Sequence, residues 1–342
     1  MCTISFQEEE IAFMLCTHRI TIVISIMLLV NTVLPSLLSS NDLYIVVTFP
    51  YLYEDMKSIA CPGDVVIDLI KPGIDPHEYQ LTPNDVNILR RANIIISTAH
   101  THFELNIRKL VEGGELNSIL IEVPYINGIK VFKNPSTGTE NYHGILFYPE
   151  NYIVFLNNLK HILSSLKPQC SKVYEENVNK LILRLQKIIE LNSSLNKIAV
   201  LDSPVIQYIA EWLGLNVSQI LMSEEEVPIV PKDIERVEKI LDNYSDSIVV
   251  VTNGSKAFQY LINLASKYRR EILLLPNPLL SSSIISMLEN IASSLNTSTR
   301  VRDVHTTTNI LPQLDVITIA TIIPTMLIVA FLVIKIFKIK RS

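Results

Sequence analysis

From Leu43 onward, short β-branched runs alternate with stretches whose apolar residues return every three or four positions. LYIVVTF (43–49) predicts a strand, YLYEDMKSIA (51–60) a helix, DVVIDLI (64–70) a strand, PNDVNILRRA (83–92) a helix and NIIIST (93–98) a strand. FELNIRKLVE (103–112) then predicts a helix and SILIEV (118–123) a strand. Strands that alternate with helices build βα units, whose strands run parallel in one sheet.

The pattern then breaks. Residues 124–151 carry Gly, Pro, Asn and Ser at intervals with no sustained period, and a loop longer than about 15 residues in a compact domain is usually functional or disordered. From Glu150 the spacing is helical through about Asn192, with an interruption at Pro168. Val173, Val178, Leu181, Leu185, Ile188 and Ile189 form its apolar stripe. Alternation resumes with strands expected at KIAVLD (197–202), NVSQIL (216–221), DSIVVVT (246–252) and EILLLP (271–276), and helices at 204–214, 231–243, 255–267 and 281–295. The expected fold class is α/β: two Rossmann-like lobes with parallel sheets, 41–165 and 195–297, joined by one long linking helix over 166–194. Ligands in such sheets collect at the carboxyl ends of strands. That selects the loops after Ile70, Ser97, Leu201 and Leu275, and the long loop before Glu150.

Two apolar runs lie outside the alternation. Arg19–Ser40 has a basic residue, an apolar core and then small polar residues, the layout of a secretory signal. Residues 1–40 are therefore expected to be an N-terminal extension with a signal or anchor segment. SLLSS is a weak cleavage site, and Met14 offers an alternative start. Val316–Ile334 runs 19 residues without a charge, close to the ~20 that span a bilayer. Lys335, Lys338, Lys340 and Arg341 follow it, which by the positive-inside rule marks the cytoplasmic side. The expected order is a linker (298–312), a C-terminal transmembrane helix (313–337) and a cytoplasmic basic tail (338–342), with the globular part outside the cell.

With 48% apolar and 18% charged residues, the 342-residue chain fits neither the disordered nor the collagenous class. Its net charge is −5 and its basic residues are scattered, so no stripe suggests nucleic acid. Of four cysteines only Cys61 and Cys170 fall in the exported part, where they either pair or stay as buried thiols. None sits at the end of the signal core, so the C-terminal helix is the expected anchor. Sequons begin at Asn192, Asn216, Asn243, Asn253 and Asn296, compatible with an external location. Asp202 and Ser203 have no adjacent histidine and TNGSKAF lacks phosphate-loop spacing, so no enzymatic set is visible.

His77 is the first chemistry-bearing residue. It follows the DVVIDLI strand through Pro72-Gly73 and Pro76, and precedes Thr82-Pro83. Thr82 suits an N-cap, Pro83 the first helical position and Asp85 a capping box. The imidazole is thus expected on a stiff loop at a strand's carboxyl end.

KPGIDPHEYQLTPNDVNILRRANIIIST resembles the signature of the metal-binding receptors of zinc and manganese ABC importers, a DPH loop followed by a Pro-capped helix and a strand. Similar order continues from Leu43 to about Leu295. The resemblance implies a monomeric receptor, not an enzyme, that holds zinc or manganese between its lobes and serves an ABC permease. Four side chains would hold the ion, two from each lobe. From the first lobe these would be His77 and, in YHGILFYPEN, His143. In the second lobe LDSPVIQYIAEWLGL puts Ser203, next to Asp202, where a His or Glu is expected, and PNPLL puts Asn277 where an Asp is expected.

Ser and Asn are weak ligands for a divalent transition metal. Three readings stay open: Asp202 takes the third position, His100 or His102 supplies a further imidazole, or the site accepts a harder ion, a chelate or nothing. Two wider alternatives are the same fold binding a metal chelate or other small ligand, and a surface interaction or adhesion protein with a degenerate site. Glu224–Glu226 reads as a solvated loop, and 134–141 carries no histidine or acidic run for metal capture.

Overall fold

The anticipated strands all form and pair in parallel. The computed structural model describes residues 42–191, 194–223 and 227–296. The Arg19–Ser40 and Val316–Ile334 runs and Glu224–Glu226 lie outside the described residues. No described helix is long and apolar enough to cross a membrane.

The first lobe runs β1 (Tyr44–Val47), α1 (Tyr53–Ile59), β2 (Val65–Asp68), α2 (Pro83–Arg91), β3 (Ile94–Ser97), α3 (His102–Glu112) and β4 (Ile119–Glu122). Its sheet order is β2-β1-β3-β4. Two long helices follow, α4 (Pro149–Leu166) and α5 (Ser171–Leu191). The second lobe is β5 (Ile198–Leu201), α6 (Gln207–Trp212), β6 (Asn216–Ile220), α7 (Pro231–Asn243), β7 (Ile248–Thr252), α8 (Phe258–Tyr268), β8 (Glu271–Leu275) and α9 (Ile284–Asn296). Its order, β6-β5-β7-β8, repeats the first. Inner strands β3 (IIIS) and β7 (IVVVT) are buried at every position, as expected for parallel strands covered on both faces. The capping box of α2 forms as read: Thr82 Oγ1 accepts the Asp85 N–H, and Asp85 Oδ2 accepts the Thr82 N–H at 2.8 Å.

Three features join the lobes. The buried stripe of α5 comprises Tyr174, Val178, Leu181, Leu185 and Ile188, within one apolar cluster that also includes β1, β3 and α9. Second, Asp55 of α1 caps α9. Its carboxylate accepts from Ile284 N at 2.9 Å, Ile285 N, the Ser283 hydroxyl and Tyr152 Oη at 2.8 Å. Burial raises the Asp55 pKa against the opposing pull of those bonds. Third, part of the aperiodic 124–151 stretch is an ordered strap along the second lobe. Phe132 N–H donates to Tyr208 Oη, Gln207 Nε2 to Lys133 O, Asn134 Nδ2 to Ser223 O, and the Ser136 hydroxyl to Ile220 O.

Cys61 and Cys170 form a disulfide with Cα atoms 6.1 Å apart, which decides between the two states the sequence left open. It ties the turn before β2 to the turn before α5. Beside it Asp64 accepts from Lys167 Nζ at 2.8 Å and Tyr174 Oη at 2.6 Å. Burial pushes the Asp64 carboxyl up, but those bonds outweigh it and hold the pKa below the ordinary value.

Candidate metal centre

The site begins where three first-lobe segments end. His77 lies beyond β2, His100 beyond β3, and His143 at the end of the strap before α4. Sheet order places β1 between β2 and β3, so the loop after β1 forms the floor: Phe49 stacks on His100 at 5.5 Å between centroids, and Tyr51 packs its ring against Phe147 at 5.0 Å. The three imidazoles meet above it, with ring centroids 4.5 to 5.6 Å apart. One ring nitrogen from each falls within 4.8 Å of the others. A tetrahedral ion about 2.1 Å from each nitrogen needs separations of about 3.4 Å.

Each loop is held by its own chemistry. Asp75 Oδ1 accepts the His77 N–H at 3.0 Å, fixing the turn through Pro76. Ala99 adopts φ 59° just before His100, with its N–H on Ser97 Oγ at 3.0 Å. That left-handed conformation costs a residue bearing a Cβ roughly 1 kcal/mol. Gly144, next to His143, has φ 65°, and a Cβ there would stand 2.3 Å from Val205 O of the second lobe. Only glycine permits this approach.

Hydrogen bonds select the tautomers. Asn141 Nδ2 donates to Pro204 O at 2.9 Å and Gln207 Oε1 at 2.8 Å, so its Oδ1 is the atom that faces His143. That oxygen accepts both His143 N–H at 2.9 Å and Nδ1–H at 3.0 Å, which leaves the lone pair on Nε2. For His100, Nδ1 lies 2.7 Å from Thr98 Oγ1, and the Thr98 hydroxyl hydrogen goes to Glu104. His100 Nδ1 is therefore the donor, and its lone pair too is on Nε2. Glu104 is fully buried and also accepts from Thr48 Oγ1, Thr98 N, His100 N and Thr101 Oγ1. A carboxylate behind a ligand histidine raises its basicity and fixes its orientation. Sequence reading missed Glu104, although T-H-F-E (101–104) carries capping-box spacing.

Burial, then the nearby His77 charge, lowers the His100 pKa to about 3. Burial, then His100 and His77, holds His143 well below its ordinary value. Both rings are neutral near pH 7, as ligation requires.

The sign of the pH effect follows. On acidification the unfolded chain takes up protons near pH 6.5 before the folded one does, so the metal-free protein loses stability as pH falls below about 6.5, by up to about 1.4 kcal/mol per pH unit per histidine. Asp55 and Asp202, raised by burial, oppose this at lower pH. Urea unfolding of chelated protein at about pH 7.5 and about pH 5.5 measures the effect. A His100→Asn/His143→Asn variant with the same pH slope as the parent would refute the assignment.

The profile of the family described as "Zinc-uptake complex component A periplasmic" matches residues 45–275. The chain belongs to that family. That family is one of substrate-binding transport proteins, not of enzymes. Among relatives, it is 26% identical over 231 residues to the manganese ABC transporter substrate-binding lipoprotein PsaA of Streptococcus mitis, covering 62% of this chain and 73% of that one. It is 25% identical over 133 residues to the iron-binding protein YfeA of Yersinia pestis, covering 39% of this chain. The match spans only 42% of YfeA and 50% of a Lactococcus lactis metal ABC transporter substrate-binding lipoprotein. The periplasmic zinc-binding protein TroA of Treponema pallidum shares the fold, with TM-score 0.60 and 14% identity over 75% of this chain and 98% of TroA. A periplasmic metal-binding protein of Candidatus Liberibacter asiaticus gives TM-score 0.62 and 18% identity, covering 74% and 98%.

In this member of the zinc-uptake component A family, the structure brings His77, His100 and His143 together and leaves Asp202 and His102 outside that group. Asp202 is fully buried at the end of β5, and its Oδ2 accepts the N–H and hydroxyl of Thr252, both at 2.7 Å. Through that oxygen it fastens β7. Asn277 Oδ1 accepts the Leu279 N–H at 3.0 Å. Ser203 and Asn277 line a neighbouring cavity. His102 is exposed at the start of α3, on a groove that His77 also lines, with Glu78, Gln80 and Asn106. What the second lobe gives the histidine pocket is the apolar pair Val205 and Leu279. Among the described residues, the three imidazoles that converge all come from first-lobe segments, whereas the second-lobe residues that the resemblance points to take other partners. The physical basis is that a carboxylate buried at a parallel strand's end takes the nearest N–H and O–H donors of the adjoining strand.

The second lobe acts instead through Asn141. Replacing Asn141 with alanine frees the His143 ring and should weaken zinc binding roughly 10- to 100-fold. Calorimetric titration checks this, and an unchanged affinity would remove the positioning role.

Proposed function

We propose that the chain is an exported receptor that captures a divalent transition-metal ion on His77, His100 and His143, and passes it to an ABC permease. The observation that carries this is the convergence of three imidazole nitrogens within 4.8 Å in a partly buried pocket. Family membership supports the transport role, and the relatives' names span zinc, manganese and iron without choosing among them. The donor set does favour one. Three nitrogen ligands without an oxygen anion suit zinc, whereas manganese prefers carboxylate and water oxygens. Zinc is therefore the proposed cargo, ahead of manganese.

The disulfide supports export to an oxidising compartment. The Val316–Ile334 run is the proposed membrane anchor, in place of the lipid that the names of the streptococcal relatives carry.

Competitive titration of the full chain with zinc and manganese tests the reading. Expected is saturable binding of one zinc ion that manganese displaces only in large excess. Tighter manganese binding would overturn the choice of metal, and no binding of either would overturn the function.

A further inference from the structure

Beside the histidine pocket lies a larger cavity of about 130 Å³ between the lobes. It opens at the carboxyl ends of β5, β7 and β8, where parallel sheets collect ligands. Ser203, Lys256 and Asn277 line it, with Asp75 from the first lobe. Val205 and Leu279 are walls of both spaces. The histidine pocket has room for little more than one atom, about 10 Å³.

Charge exposes a deficit. Imidazole ligands bring no negative charge, so a divalent ion held by three of them is uncompensated among Phe49, Tyr51, Val205 and Leu279, which is costly to bury. Asp202 lies outside the histidine group, with its Oδ2 on Thr252, and Asp75 Oδ1 accepts the His77 N–H. The adjoining cavity offers hydrogen-bond donors instead. Asn277 has committed its oxygen to Leu279 N–H and so presents its Nδ2 hydrogens. The Ser203 hydroxyl and the Lys256 ammonium complete the set. A hydroxyl, an amide N–H and an ammonium together match a carboxylate.

We propose that this cavity binds a small dicarboxylate. One carboxylate sits on Ser203, Asn277 and Lys256, and the other passes Val205 and Leu279 to fill the open position on the metal. The receptor would then take its ion as a metal–dicarboxylate complex. This rests on the three-histidine metal reading above. A monocarboxylate could satisfy only one end.

The test is zinc titration into the full chain with and without malonate. Malonate in solution competes for zinc, so without a protein site it must weaken the apparent affinity. The proposal expects it to tighten zinc binding roughly tenfold. Lys256 is exposed and its replacement leaves the core intact, so Lys256→Ala should shrink the with-to-without ratio and Lys256→Glu should abolish the gain. Zinc binding that malonate weakens or leaves unchanged overturns the dicarboxylate site and leaves the metal site standing. A gain that persists in Lys256→Glu places malonate elsewhere and also overturns it. Absence of zinc binding under both conditions removes the metal reading, and this inference falls with it.

Discussion

Zinc affinity should fall by more than about a hundredfold when His100 is replaced by alanine. Loss of a group that merely orients a ligand histidine costs 10- to 100-fold, so loss of the ligand itself must exceed that. His100 is buried against Phe49, and its Nδ1–H is held by the Thr98–Glu104 pair. It is thus preset to present Nε2 to an ion. Asp202→Asn is the informative partner. Its carboxylate faces Thr252, so zinc affinity should stay close to the parent's. Calorimetry on both variants, with circular dichroism to confirm folding, separates the two ligand sets. The opposite pattern, with His100→Ala near normal and Asp202→Asn severely impaired, would restore a ligand from each lobe.

Removing the disulfide should cost about 4–5 kcal/mol of stability. The cross-link closes a loop of 109 residues, and in the chain-entropy account a loop of about 100 residues stabilises the folded state by about 4.7 kcal/mol. A Cys61→Ala/Cys170→Ala chain should therefore unfold at clearly lower urea concentration. Cys61 precedes the amino end of β2, whereas His77 and His100 lie beyond the carboxyl ends of β2 and β3. Zinc affinity of the folded variant should accordingly match the parent's. A midpoint equal to the parent's would show that the Lys167–Asp64–Tyr174 cluster alone fixes α5 to the first sheet.

Much of the fold was legible because its causes are local. Alternation of Ile- and Val-rich runs with helical spacing marks βα units wherever they fall, and Thr82-Pro83-Asp85 announces a helix start within four residues. The site was legible only in part. His77 was readable from its own stiff loop, and His143 from a resemblance. His100 stood as one open choice beside His102, although the two lie two residues apart. The left-handed turn at Ala99 separates them: His100 turns into the pocket and His102 starts α3 in solvent. An alanine at positive φ gives no signal in sequence, where glycine would have.

The sequence by itself determined the two parallel sheets, the linking helix, and the placing of histidines on loops at strand ends, because spacing and capping act over a few residues. Tertiary structure alone decided which of those loops meet. The β2-β1-β3 order brings His77 and His100 together across an intervening strand. The strap on the second lobe delivers His143 to them through Asn141. Asp202, the one second-lobe carboxylate the sequence offered, is drawn to Thr252 on the adjoining strand. Those outcomes depend on groups between about 50 and 66 residues apart that compete for the same hydrogen bonds, and no local pattern records which partner wins.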